Sequence, residues 1–278
     1  MATELTVEWV NVISMMQREF PMLPHYQPIT IYPNDPPEMA NRFALWNKTV
    51  ARWDMARTTM LVGRKGVYSP SQNINPSRNG HPFWAIQPIN GKVLDLGCNI
   101  GSFGFSGLLY ARVENRTFHY IGIDNDQACF DFAASLILAR DISNKDLIFC
   151  QGDVTDAFRD SHHLRNEFDV VIFLSIYHHI FGLQGADKAR KLLNTISNLA
   201  PVMYFETATK GEPCNPDREY WWNALPIAEN YNEWVKDEVI SHSEYNAVKE
   251  VGVSHVGRRH TRILYRFTRD AESVHRSD

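Results

Sequence analysis

The sequence predicts an α/β protein: a doubly wound, seven-stranded, mostly parallel sheet with an antiparallel last strand, plus an N-terminal helical and loop extension. Three observations predict it. From Lys92 onward short apolar runs alternate with helical patterns, which implies right-handed crossovers and a sheet covered on both faces. A glycine loop, Gly97-Cys-Asn-Ile-Gly101-Ser-Phe-Gly104, follows the first of those runs. Near the C-terminus VGVSHVG (251–257) and TRILYRF (261–267) are joined by GRRH, too short for a crossover helix, so they pair antiparallel at the sheet edge.

The elements follow in order. Residues 4–19 place Val7, Val10, Ile13 and Met16 on one helical face, and PMLP ends it. Residues 25–36 are Pro-rich and extended. From Pro37 to Thr58 the stripe Met39, Phe43, Trp46, Val50 and Trp53 is helical again, and 63–90 is loop-rich. VLDL (93–96) is the first strand of the sheet, with a helix over 104–111 after the glycine loop. HYIGID (119–124) is the second strand, followed by a helix over 129–139. DLIFCQGD (146–153) and FDVVIFLS (168–175) are the third and fourth strands. DKARKLLNTISNL (187–199) is a helix and VMYFET (202–207) the fifth strand. The expected organisation is an N-terminal cap or substrate-recognition extension (1–90), a ligand-binding domain (91–268) and a flexible tail (269–278).

Bulk properties narrow the class. The chain has 278 residues, 44% hydrophobic and 22% charged, enough to bury a sizeable core. A net charge of −4 excludes a uniformly basic nucleic-acid coat, though not a local basic patch. None of the four cysteines forms a CxxC pair, which argues against a zinc knuckle or disulfide scaffold and fits a reducing, cytoplasmic compartment. No metal site is expected. MATELTVEWV lacks the basic-then-apolar order of a leader, and no apolar run reaches membrane-spanning length.

In such a sheet the ligand lies beyond the carboxyl ends of the strands, at the switch point of the winding. Four strand ends carry polar groups there: Asp95–Gly101, Asp124, Asp153 and Ser175–His179. A glycine loop opening a helix suits an anion. The spacing is not the GxGxxG of a dinucleotide site, however, because Asn99 stands where the central glycine would be. Asn tolerates the left-handed backbone nearly as well as Gly, so Asn99 is expected at positive φ or in contact with the ligand. Asp95, before the loop, suits a ligand with an ammonium group beside a carboxylate. Asp124 is placed to accept both hydroxyls of a ribose, and Asp153 an exocyclic adenine amine. An amino-acid end, a ribose and an adenine together describe S-adenosylmethionine.

On these residues the sequence resembles the class I, Rossmann-like, S-adenosylmethionine-dependent methyltransferases. Their strand followed by D-x-G-x-x-x-G looks like VLDLGCNIG, and their second- and third-strand acids look like Asp124 in YIGIDND and Asp153 in QGDV. The fourth-strand motif looks like FDVVIFLS, and the resemblance covers about 92–268. It implies Asp95 and the Gly97–Gly101 backbone at the methionine end, Asp124 on the ribose and Asp153 near the adenine. Cys98, Asn99, Asn125, Val154 and Ser175 complete the expected cofactor set, although Asn125 also suits a helix cap and Asp95 a loop brace.

The acceptor side is expected in LSIYHHIFG (174–182), with His178 as general base and Tyr177 orienting the substrate; an equal alternative packs one histidine in the core. The Tyr-His pair is similar to that of tRNA wobble-uridine carboxymethyltransferases, and Gly-Cys-Asn to the loop of RNA methylphosphate-capping enzymes; neither subfamily is matched in full. Basic residues interleaved with aromatics in 51–80, together with Arg258, Arg259, Arg262 and Arg266, suit a phosphate backbone or, as the favoured alternative, a solvated strand edge. REYWWNALPIAENYNEW (218–234) either lines the acceptor pocket or packs as core. The expected activity is methyl transfer to an O or N acceptor on a small molecule or RNA. The alternatives are a non-catalytic methyltransferase-like subunit and, disfavoured by the loop spacing, a nicotinamide-dependent oxidoreductase.

Overall fold

The computed structural model describes residues 67–68, 81–82 and, between 90 and 269, all but 100, 102, 105–106, 109–110, 112–114, 128, 131–132, 134–145, 159–163, 209, 211–218, 227–229 and 257–259. The helices expected over 4–19 and 37–58, the extended 25–36, most of the basic segment 51–80 and the tail beyond residue 269 lie outside the described residues.

Seven strands form one sheet: β1 (Gly91–Leu96), β2 (Phe118–Asp124), β3 (Leu147–Gln151), β4 (Val170–Leu174), β5 (Val202–Glu206), β6 (Ala247–Val256) and β7 (His260–Thr268), in the spatial order β3-β2-β1-β4-β5-β7-β6. β1 to β5 pair in parallel, and β7 pairs antiparallel with both β5 and β6. The expected sheet and its trailing antiparallel pair are therefore present. The chain winds outward from β1 through β2 to β3, then returns to the other side of β1 as β4. The switch point lies between β1 and β4. In register, Leu96 stands beside Ile123 and Phe173, so the residues following β1, β2 and β4 emerge level with one another.

The parallel strands are mostly apolar because both faces are covered. Alternate residues serve opposite layers, as the two-residue period of a strand requires. Leu94, Leu96, Ile121, Ile123, Val171, Phe173 and Phe205 join one core with α1 (Tyr177–Gln184), α2 (Ala186–Leu199) and α4 (Tyr231–Ser241). Val93, Tyr120, Val170, Ile172 and Tyr204 join the other, with Phe103, Leu108, Ala111, Phe130 and Ala133 from the helical stretches after β1 and β2. Each fully buried side chain of this size contributes roughly 1.5–3 kcal/mol, far more than any surface ion pair, so this pattern dictates the strand register.

α2 buries Ala189, Leu192, Leu193 and Ile196, the spacing of one helical face, and Asp187 in its first turn complements the helix dipole. A short α3 (Glu219–Ala224) packs on α1 at Gly182, where a Cβ would fall 2.5 Å from the Trp221 Cα. Arg269, expected to open the flexible tail, is instead buried: it donates to the Ser197 carbonyl, to Glu244 at 2.9 Å and to Asn166. Val67–Tyr68 pairs antiparallel with His81–Pro82, and this small ladder lies against β6. No described helix is long and apolar enough to cross a membrane.

Candidate functional site

The glycine loop turns sharply out of β1. Gly97, Asn99 and Gly101 have φ of 70°, 53° and 76°, which fulfils the expectation of a left-handed Asn99. Gly97 has a second constraint, since a Cβ there would lie 2.4 Å from the Ile176 side chain. The loop is pinned to β2: Gly97 and Cys98 both donate their amides to the Ile123 carbonyl, at 2.8 and 3.0 Å. The Asn99 amide donates to Asp124 Oδ2 at 2.7 Å, while Asp124 Oδ1 accepts from the Asp126 amide at 2.9 Å. The strand-end acid thus organises the loop. The Asn99 side-chain oxygen is buried and has no hydrogen-bond partner among the described residues.

Asp95 lies beneath the loop, 2% exposed, and accepts from the Tyr120 hydroxyl at 2.6 Å. Burial, with the Asp95 charge adding to it, holds the Tyr120 phenol well above its ordinary pKa, so it stays a donor. The third glycine, Gly104, is helical and sits flat on the Tyr120 ring, where a Cβ would be 2.6 Å away. Cys98 is buried against Gly122, and burial, followed by the charges of Asp95 and Asp124, pushes its thiol up. That makes Cys98 a packing residue of the loop rather than a reactive one. Asn125 is exposed beside Asp124.

Asp153, after β3, closes a turn by accepting from the Thr155 amide at 2.8 Å and hydroxyl at 2.7 Å. Its other oxygen accepts from Gln184 at the end of α1, at 3.0 Å. Val154 is buried in the adjoining core. The loops after β1, β2 and β3 therefore present acceptor atoms along one side of the switch point.

On the other side, Ser175 takes φ of 61° and turns the chain from β4 into α1. Its hydroxyl donates to Glu206 Oε1 at 2.9 Å, and Arg262 on β7 reaches both, at 2.9 Å from Ser175 Oγ and 3.3 Å from Glu206 Oε1. Arg262 is thus drawn inward onto a buried acid rather than standing at a solvated edge. Sequence reasoning missed Glu206, although it closes β5 as Asp124 closes β2.

His178 and Tyr177 point to different places, as successive helical residues must. The His178 ring is 2% exposed; its Nδ1 accepts from the Ala208 amide at 3.2 Å and lies 3.3 Å from Thr207 Oγ1. A backbone amide only donates, so Nδ1 carries no proton and the neutral ring is protonated on Nε2. The nitrogen that a general base would use is committed to the backbone. Tyr177 is buried among Phe173, Phe181 and Phe205, and its hydroxyl donates to Glu238 at 2.8 Å, itself paired with Arg190 at 2.9 Å. The structure packs His178 in the interior against Trp221 and leaves Tyr177 as an anchor of α1. From the aromatic segment, Trp221 packs edge-on to His178 with ring centroids 4.7 Å apart, and Leu225 is core.

The residues present fit an S-adenosylmethionine-type donor. The buried, unpartnered Asn99 oxygen suits an ammonium, and the Asp124 carboxylate suits hydroxyls. Residues 89–246 match the family described as a methyltransferase domain. Among curated proteins the chain is 29% identical over 140 residues to the O-antigen chain terminator bifunctional methyltransferase/kinase WbdD of Escherichia coli, a stretch covering 50% of this chain and 17% of that protein. A crystal structure of WbdD superposes with a TM-score of 0.51 at 23% identity, over 67% of this chain and 37% of the other. A second WbdD structure, with its C-terminal bundle ordered, superposes with a TM-score of 0.52 at 19% identity, over 92% and 41%. At these identities the two superpositions concern the fold alone, and the chain matches only a minor part of each relative's length.

Proposed function

The chain belongs to the methyltransferase-domain family, and on that premise we propose that it transfers a methyl group from S-adenosylmethionine to an O or N acceptor on a small molecule or RNA. Asn99 carries this reading: its left-handed backbone aims a buried carbonyl oxygen that nothing else in the described chain satisfies, and a methionine ammonium would satisfy it. Asp95 supplies negative charge beneath the loop. Asp124 would hold the ribose hydroxyls with the acceptor capacity left by its two amide bonds, and Asp153 the adenine amine beside Val154. Cys98 and Asn125 shape the walls around them.

A sulfonium donor bound there supplies an electrophilic methyl carbon, and the chain's task is alignment. Ser175, fixed by Glu206 and Arg262, sets where α1 begins; Tyr177, anchored on Glu238, sets its rotation and hence the position of His178. Residues 91–268 form the methyl-transfer domain in this reading, and 1–90 recognise the acceptor or cover it. The buried free thiols of Cys98, Cys129 and Cys150 support a cytoplasmic location.

Incubating the protein with methyl-labelled S-adenosylmethionine and fractionated cell extract tests the activity. Label entering a fraction in an Asp124-dependent way supports it, and RNase sensitivity of that label separates RNA from small molecules. Label entering no fraction, under conditions where the donor binds, contradicts it.

A further inference from the structure

Asp153 stands just past Asp124 at the carboxyl ends of the sheet. Gln151 pairs with Asp124 in the β2–β3 ladder, and the Gly152 amide donates to the Asp124 carbonyl at 2.9 Å. Asp153 is therefore held, half-buried, beside the acid that closes β2. An ionised carboxylate has about four acceptor directions, two on each oxygen. Oδ1 accepts from the Thr155 amide at 2.8 Å and from the Thr155 hydroxyl at 2.7 Å, which fills it. Oδ2 accepts from the Gln184 side chain at 3.0 Å, and among the described residues it has no other donor. One acceptor direction is left, and it lies on the oxygen that Gln184 holds.

The Gln184 amide is itself fixed. A carboxylate only accepts, so the end of the amide that meets Asp153 is the NH2 group; the carbonyl end turns to the Thr155 hydroxyl, 2.9 Å away. Asp153, Thr155 and Gln184 thus close a ring, and turning the amide over would set oxygen against oxygen. Gln184 is also the last residue of α1. The residue before that helix, Ile176, lies against the first loop, where a Cβ on Gly97 would meet its side chain at 2.4 Å. One short helix touches the glycine loop with its start and Asp153 with its end.

Resting on the methyltransferase reading above, in which Asp153 meets the adenine, we infer that Gln184 is a positioning residue for the donor: its side-chain amide turns Asp153 so that the remaining acceptor direction on Oδ2 meets the exocyclic amine. Gln184 touches no reacting atom; it acts through Asp153 and sets which base is accepted. An amine donates into that direction, whereas the carbonyl of a hypoxanthine base would set lone pair against lone pair. A site built to receive a donor rejects the analogue that lacks it, because the acceptor is then left unmatched. Without Gln184 the carboxylate is held through Oδ1 alone, and Oδ2 is free to swing and to take water in place of the amine.

The test measures, by calorimetric titration, the affinities of S-adenosylhomocysteine and of S-inosylhomocysteine, which carries a carbonyl where adenine carries its amine. Wild-type protein is expected to favour the adenine compound by roughly tenfold or more, the worth of one hydrogen bond to a charged group. In Gln184→Leu, close in size but without the amide, the inference expects that ratio to fall by about threefold or more, through weaker binding of the adenine compound. Gln184→Glu keeps the shape, sets a second carboxylate against Asp153, and is expected to lower the ratio as well; it serves if Gln184→Leu does not fold. An unchanged ratio, with both compounds weakened alike, overturns the inference and leaves Gln184 as a brace of α1. Equal binding of the two compounds by wild-type protein contradicts Asp153 at the adenine, and the inference with it, while the donor site stands. Binding of neither compound contradicts the methyltransferase reading itself, and the inference falls with it.

Discussion

The Asn99 amide donates to Asp124 Oδ2 at 2.7 Å, so the residue that turns the first loop and the acid that closes the second strand form one unit. The unit is stiffened by Gly97 and Cys98, which donate to the Ile123 carbonyl one residue before Asp124. Donor binding and loop geometry are consequently linked, and a change at either residue is expected to affect both.

Replacing Asp124 with Ala strands the amides of Asn99 and Asp126 and removes the proposed ribose contact. Hydrogen bonds to charged groups contribute about 1.5–3 kcal/mol each, and about 1.4 kcal/mol is a factor of ten in affinity. Calorimetric titration with S-adenosylhomocysteine is expected to show binding weakened by roughly tenfold or more. Unchanged affinity would remove Asp124 from the ribose.

Asn99 separates backbone from side chain. Positive φ costs an ordinary L-residue about 1–2 kcal/mol and Gly nothing. Asn99→Gly is therefore expected to unfold in urea at nearly the wild-type midpoint while binding the donor more weakly, having lost the buried oxygen. Asn99→Ala is expected to lose both stability and affinity. Full affinity in Asn99→Gly would show that the side chain makes no donor contact.

Gly104 is required for space rather than for φ. Tyr120, whose ring a Cβ would meet at 2.6 Å, is fully buried and tied to Asp95, so it has nowhere to move. Gly104→Ala is expected to cost about 1–3 kcal/mol by urea denaturation, the usual range for overpacking. Gly185 provides the contrast: at φ 89° with nothing near its Cβ position, substitution by Ala meets backbone strain alone.

Alkaline pH is expected to unfold the protein. Burial pushes the Cys150 thiol up to about 12 and raises the phenols of Tyr120, Tyr177 and Tyr245. The unfolded chain loses these protons at ordinary thiol and phenol pKa values, while the folded chain keeps them. Between about pH 9 and 12 the folded state therefore binds more protons, and stability falls as pH rises. Melting temperature is expected to be level in pH near neutrality with respect to these groups and to drop above about pH 9. A level profile to pH 11 would contradict their burial.

Much of this was legible in sequence because it is local. Apolar runs gave the strands, the short GRRH connection gave the antiparallel pair, and the loop spacing gave a left-handed Asn99. What escaped depends on distant partners. α1 has no helical expectation of its own in the sequence: it is apolar and aromatic, holds Gly182 mid-helix, and has no side-chain cap. Only the approach of Trp221 explains that glycine. β6 begins at Ala247, earlier than expected, because pairing with β7 extends over residues with little strand propensity of their own. Glu206 and Arg262 lie far apart in the chain, as do Tyr177 and Glu238, and no short window contains either pair.

The central claim is that the crevice between β1 and β4 binds a sulfonium methyl donor, and a comparative thermal shift tests it most directly. With saturating S-adenosylmethionine or S-adenosylhomocysteine the account predicts a raised melting temperature, abolished or reduced in Asp124→Ala, and no rise with NAD. Stabilisation by NAD alone would contradict it.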